Sequence, residues 1–353
     1  MAVVSGVGIG GKQGLILRIE STSVSVHRVS LAGGGANADV TPLNTWDPRP
    51  FLTDQNGRRL FEEISRRVSQ VTKQVGRIHG IGLTLPGTLR GESVVEGSSR
   101  LNIRDEVDVT TQFEAFGAPP TYVFHDAECM GLGEALSDGN AKVLSHDTFA
   151  LLLVDEGVGA SFFINGKPYR GAGVAGHIGR LVVEQHGTFN PTFASRGTLE
   201  VFAARPWVSQ NVVNEYLCEK GKTGALAPTA SSFRAAVDAA ASGSMSRNLT
   251  FQQLADGMTS GDHVATSVLT DAAQYLSTAI NAIITIMNPP LIVMGGGMIL
   301  EIPGFYDLVV SHARRTAWAG SWNETTLRVA RLGRDAQVSG AAYSLSRILT
   351  GGS

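Results

Sequence analysis

"VDEGVGASFFINGKPYRGAGVAGHIGR", residues 154–180, is the stretch from which the fold can be read. With the preceding "TFALLL" (148–153) it reads as two apolar strands around a glycine turn. Asn165-Gly166 then supplies a tight hairpin turn, because both residues tolerate positive φ. Gly157 and Gly159 admit two readings: they let backbone N–H groups approach a phosphate, or they only permit a tight turn. A similar pair stands at the start of the chain. There "GVGIGGKQGLILRI" (6–19) sets a glycine turn between apolar runs at 3–9 and 14–19. A strand pair that occurs twice implies a duplicated fold with a cleft between its halves.

Strands and helices alternate between and beyond these pairs. A third strand is expected at 23–31. The spacing of Leu60, Ile64, Val68, Val71 and Val75 predicts a helix over 58–75. "HGIGLTLPG" (79–87) reads as a buried strand stopped by Pro86-Gly87, and "PTYVFHDA" (120–127) as another that runs into the helical start "ECMGLGEAL". Val268, Ala272, Leu276, Ala279, Ile283 and Met287 form the expected buried stripe of a helix over 264–287. Asn288-Pro289-Pro290 ends it, and "LIVMGGGM" (291–298) follows as a buried strand with a glycine tip. The alternation means α/β architecture.

Composition narrows the function classes. The 353 residues exceed one ordinary core, so two domains are expected. A hydrophobic share of 43% and a charged share of 17% are those of a globular chain, and a net charge of −2 without a basic stripe argues against nucleic acid. Cys129 and Cys218 in a chain this long suit a reducing, cytoplasmic compartment. No signal peptide or membrane span is expected, since the longest apolar run is broken by Asn288-Pro289-Pro290 and three glycines.

Two further segments carry chemistry. His125-Asp126 stands where a strand gives way to a helix. A carboxylate there can take a proton from a substrate hydroxyl, or cap the helix that follows. Gly295, Gly296 and Gly297 close a buried strand where α/β sheets bind ligands, or serve close helix–sheet packing.

The order of these parts resembles the ROK family (repressor, open reading frame, kinase) of actin-like sugar kinases. His125-Asp126-Ala127 matches its Asn-Asp-Ala before a helix, and residues 157–180 match its G-x-G-x-G…N-G-x-x-Y-x-G…G-E-x-G-H run. Residues 288–297 match its N-P-x-x-I-V-x-G-G-G, and "LGRDAQVSGAA" (332–342) its L-G-x-D-A-x-x-x-G-A-A. The resemblance implies a two-domain actin-like (ribonuclease H-like) fold with an interdomain cleft. It implies transfer of the γ-phosphate of ATP, with Mg²⁺, to a sugar or sugar-like hydroxyl. Asp126 would be the general base; Asn102, His125, His177 and Glu200 would bind the sugar; Gly10, Gly11, Lys12, Gly157, Gly159, Gly295, Gly296 and Gly297 would face ATP. A homodimer is expected. The small domain is expected at 1–123 plus 336–353, the large one at 124–335.

Departures from the family pattern accompany the match. The family's first hairpin reads D-x-G-G-T with the Asp near Mg²⁺; set against 8–12 it meets Gly8, Ile9, Gly10, Gly11 and Lys12. Asp155 and Glu156 precede Gly157 where a G-T-G turn is usual. Gly176-His177-Ile178-Gly179-Arg180 replaces G-E-x-G-H. The segment matching the family's zinc element, "NPTFASRGT" (190–198), holds no cysteine, so no structural zinc is expected. Two functions remain open: a carbohydrate kinase of altered specificity, or a catalytically impaired relative that binds sugar or regulates. The family's repressors carry a helix-turn-helix before the first hairpin, and a hairpin starting at residue 3 disfavours DNA binding.

Overall fold

Two five-stranded sheets of identical strand pattern organise the chain. In a computed structural model, the structure describes residues 11–31, 39–137, 148–223, 232–243 and 248–350. The chain divides into one unit of Met1–His146, Gly171–Val174 and Leu332–Ser353, and a second of Asp147–Arg170 and Ala175–Arg331.

In the first unit, β1 (Gln13–Ile19) pairs antiparallel with β2 (Val24–Ser30), and β2 with β3 (Val40–Trp46). On its other side β1 runs parallel to β4 (Gly80–Leu85), which runs parallel to the last strand of the sheet, Thr121–His125. Strand β1 is buried on both faces, which explains its unbroken apolar run. Leu15, Leu17 and Ile19 pack with Leu60, Phe61 and Ile64 of helix α1 (Arg58–Val75), while Ile16 packs with Val338, Ala342 and Leu345 of the C-terminal helix. Short strands β5 (Thr88–Arg90), β6 (Val94–Gly97) and β7 (Val107–Asp108) form a side sheet. Helix α2 (Val109–Ala115), capped by Asp108, leads to the Thr121–His125 strand, β8, and α3 (Asp126–Ser137) follows directly.

The second unit repeats the plan. Strand β9 (Phe149–Val154) pairs antiparallel with β10 (Val158–Ile164), and β10 with β11 (Lys167–Tyr169) across Asn165 (φ 52°) and Gly166 (φ 69°). Two short strands, β12 (Phe189–Asn190) and β13 (Ser195–Arg196), pair with each other. Helices α4 (Leu199–Ala203), α5 (Arg205–Thr223), α6 (Ser232–Ala241), α7 (Phe251–Thr259) and α8 (His263–Met287) supply much of the core. Strand β14 (Leu291–Gly295) is parallel to β9 and to β15 (Thr326–Val329); α9 (Gly297–Leu300), α10 (Phe305–Thr316) and α11 (Ala319–Glu324) connect the last two. Helix α12 (Asp335–Thr350) belongs to the first unit.

Three expectations shift. The run 3–9 lies outside the described residues, and the hairpin of the first sheet is 13–30, equivalent by topology to 149–164. The border expected at 123/124 falls inside β8; α3 stays with the first unit because it packs on α12, where an added Cβ on Gly340 would lie 1.8 Å from Cys129 O. The buried stripe of α8 begins at Val264, Ala265 and Leu269, with Val268 only half-buried.

Candidate functional site

Strands β1, β4 and β8 are parallel, so their C-terminal ends share one edge, the edge where open α/β sheets bind ligands. Arg18, Thr84 and Phe124 lie side by side in the last full row; His125 and Asp126 follow. Asp126 begins α3 and its Oδ1 accepts from Ala127 N–H at 2.8 Å. His125 Nδ1 lies 3.2 Å from the same N–H and 3.3 Å from Asp126 Oδ1. The candidate base thus stands at the expected strand–helix junction. One of its oxygens meets the amide of the next residue, inside the first turn of α3.

Lys12 lies elsewhere. Its ammonium donates to Leu349 O at 2.7 Å, at the C-terminal end of α12, where a cation offsets the orphan carbonyls. Six residues of extended chain, about 20 Å, separate it from Arg18. Gly11 likewise precedes β1, and Gly10 lies outside the described residues. The hairpin turn is Glu20–Ser23, closed by Glu20 N donating to Ser23 O at 2.8 Å, and it contains no glycine. Set against the family's D-x-G-G-T, the strand end is Arg18-Ile19-Glu20-Ser21-Thr22: a cation stands where the family has its metal-side acid, and only the threonine agrees. This is a correction to the alignment on residues 8–12.

The surroundings of Arg18 are built for a cation. Nη1 donates to Arg334 O at 3.2 Å, and Glu20 Oε1 lies 3.8 Å from Nε, which is buried without a hydrogen-bond partner. Glu20 also accepts from Ser23 Oγ at 2.8 Å and faces Arg334 at 4.0 Å. His27 sits on the same face, across from Ile16, with Ser25 Oγ 3.0 Å from Nε2. Burial, and then the charge of Arg18, hold its pKa below the ordinary imidazole value, against a smaller pull from Asp335.

Asn102 is one of the few non-glycine residues at positive φ (54°), in a loop closed by the Ser98–Ile103 bridge, and its amide donates to Leu52 O at 3.2 Å. The structure therefore gives it a backbone-shaping task in the first unit.

In the second unit the β9–β10 turn and the end of β14 share an edge, with Gly295 in register with Leu153. Asp155 Oδ1 accepts from Glu156 N at 2.9 Å and Oδ2 from Gly297 N at 3.2 Å. The glycine run answers to packing: Gly296 has φ 90° and an added Cβ would lie 2.3 Å from Val154 O, and one on Gly297 would lie 2.4 Å from the Phe251 ring. At Gly159 a Cβ would meet open space. Gly157 makes the turn, its carbonyl accepting from Asp155 N at 2.9 Å.

His177 and Glu200 come from neighbouring pieces of the same unit. Gly176 (φ 95°) passes so close to β10 that an added Cβ would lie 2.1 Å from Ala160 O, and Ala160 N donates back to Gly176 O at 2.8 Å. His177 then opens a 3₁₀ turn, Ile178–Arg180, whose Gly179 lies against the Glu200 carboxylate near the start of α4. The loop matching the family's zinc element carries buried and ring contacts of its own. Asn190, fully buried, donates to Thr198 Oγ1 at 3.3 Å and accepts from Thr192 N at 3.0 Å, while Arg180 lies 4.3 Å over Phe193.

Among the described residues no three His, Cys, Asp or Glu are arranged to hold a metal ion. A nucleotide-bound Mg²⁺ does not fit the donors at the first hairpin, because the group at its strand end is a guanidinium. Nor is any helix among the described residues long and apolar enough to cross a membrane. The residues that the sequence did not single out are Arg18, Glu20 and Arg205. Thr22 after an unbroken apolar run was the signal available for the first two.

The ROK family model matches residues 48–347. A glucokinase from Halalkalibacterium halodurans is 24% identical over 96% of this chain and 93% of its own. Among solved structures, a ROK family transcriptional regulator homologous to the E. coli MLC protein superposes with a TM-score of 0.74 at 20% identity, over 97% of this chain and 79% of that one. A ROK family glucokinase from Streptomyces griseus, solved with glucose and AMPPNP, gives 0.70 at 20% identity, over 96% and 100%. With a family model spanning most of its length, the chain belongs to the ROK family.

Proposed function

We propose that the protein binds a sugar or sugar-like polyol and acts as a binding or regulatory member of the family rather than as an ATP-dependent kinase. The observation that carries this reading is Arg18 at the strand end of the first hairpin, where a kinase needs a group that tolerates Mg²⁺ and a triphosphate metal complex. Polar groups suited to vicinal hydroxyls persist: Asp126 and His125 in one unit, His177 and Glu200 in the other. Relatives of both kinds, glucokinases and a transcriptional regulator, share the fold. Fold alone does not choose between them.

The second reading, a carbohydrate kinase of altered specificity, is favoured by Asp126, which retains its place at the parallel edge of the first sheet. In that case its carboxylate takes the proton of the attacking hydroxyl.

Calorimetric titration with glucose, N-acetylglucosamine, N-acetylmannosamine and sucrose tests the first reading. At least one should bind, and Glu200→Gln should weaken it by about tenfold. No binding of any sugar by folded protein would remove the proposal.

A further inference from the structure

We propose that Asp155 and Glu156 form a built-in anion that keeps nucleotide phosphates out of the glycine turn of the second unit. The inference rests on the sugar-binding reading above and deepens it: it names the residues that set ligand class.

Phosphate turns work by offering backbone N–H groups and a nearby cation to an anion. Here the chain supplies its own. The Asp155 carboxylate takes two such amides, Glu156 N at 2.9 Å and Gly297 N at 3.2 Å, across 142 residues of sequence. The turn is fixed underneath by Asp155 N donating to Gly157 O and by Arg205 N donating to Asp155 O, each at 2.9 Å. Arg205 is a cation that reaches the turn, and it is already engaged. Nε donates to Glu156 Oε1 at 2.6 Å and Nη1 to Leu249 O at 2.6 Å, while the guanidinium lies 5.4 Å from the Phe251 ring centre. A phosphate arriving at Gly157–Gly159 meets two carboxylates, with two amides and one guanidinium already taken. Backbone room is not the obstacle, since the space beside Gly159 is open.

An acid at this turn has one opposite use: it could hold Mg²⁺ and thereby recruit ATP. The two uses predict opposite mutational signs. ATP binding is measured by calorimetry on the full chain with and without Mg²⁺, for the wild type, Asp155→Asn, and Asp155→Asn with Glu156→Gln. Asparagine keeps one acceptor oxygen, for Glu156 N or Gly297 N but not both, so the fold of each variant is checked by thermal melting. Glu156→Gln alone, which leaves both amide bonds to Asp155 in place, is measured beside them and should also gain ATP binding. The expected result is no wild-type binding at about 1 mM ATP, a measurable gain in Asp155→Asn, and at least a tenfold gain in the double variant. If the double variant fails to fold, the single variants decide by the presence or absence of that gain. Mg²⁺-dependent binding by the wild type that Asp155→Asn abolishes would overturn the proposal, and so would folded variants that gain nothing. Sugar titrations on the same preparations separate the two ideas: loss of sugar binding throughout sinks the sugar-binding reading, whatever the nucleotide result.

Discussion

Lys12 and Leu349 are joined by a 2.7 Å hydrogen bond from the ammonium to the main-chain carbonyl, 337 residues apart in sequence. The bond ties the start of β1 to the end of α12 and takes Lys12 away from the C-terminal edge of the parallel strands. Lys12→Met should therefore leave ligand affinity unchanged and lower stability by about 0.5 kcal/mol, the usual worth of a cation at an exposed helix C-terminus. Urea unfolding with parallel sugar titration checks both halves. A change in ligand affinity at unchanged stability would restore Lys12 to the site.

Helices α3 and α12 meet through glycines. A Cβ on Gly133 would lie 1.9 Å from Ala336 O, and one on Gly340 1.8 Å from Cys129 O. Backbone atoms cannot yield as a flexible side chain can, so Gly340→Ala should destabilise by about 1–3 kcal/mol or more through overpacking. The urea midpoint of that variant measures it directly; a midpoint equal to the parent's would contradict the packing described.

His27 makes stability depend on pH. Burial and Arg18 lower its pKa in the fold, so the native state resists a proton that the unfolded state accepts below about pH 6.5. Above that value the ring is neutral in both states and contributes no slope. As pH falls below it, the unfolded state binds more protons and stability declines. His27→Gln removes this component, so its unfolding midpoint should fall less than the parent's between pH 7.5 and 5.5. Equal declines would show that the ring is not held neutral.

The loop that corresponds to the family's zinc element is fastened by Asn190, a fully buried side chain that donates to Thr198 Oγ1 in the interior and accepts from Thr192 N nearer the surface. Asn190→Ala leaves the Thr198 hydroxyl and Thr192 amide without those partners and should destabilise by about 1–3 kcal/mol. The melting temperature of the parent should not respond to a chelator. A chelator-induced drop would mean that a metal, and not Asn190, fastens the loop.

Much of the fold was legible because it rests on local pattern. The helix over 58–75 follows from apolar spacing alone, and Asn165-Gly166 named its hairpin turn through positive φ at both residues. The His125-Asp126 junction was visible as an apolar strand meeting a helical start. The first hairpin was misread for a physical reason. Glycines at 8, 10 and 11 imitate a phosphate turn, whereas the turn of the sheet, Glu20-Ser21-Thr22-Ser23, has none. Its central strand could be recognised by burial on both faces, which makes Leu15, Ile16 and Leu17 one continuous apolar run. The glycines of 295–297 were read with two possible roles, and their close approach to Val154 O and Phe251 decides for packing at Gly296 and Gly297. The Asp155–Gly297 bond could not be read at all, since nothing local links residues 142 apart.

The account turns on Arg18 standing where a kinase keeps its metal-side acid. The most direct measurement is sugar-dependent ADP release from Mg²⁺·ATP, with glucose, N-acetylglucosamine and N-acetylmannosamine as acceptors, for the wild type and Asp126→Asn. The account predicts that the wild type releases no more ADP than the variant with any acceptor. Sugar-dependent turnover by the wild type that Asp126→Asn abolishes would contradict it and establish the kinase.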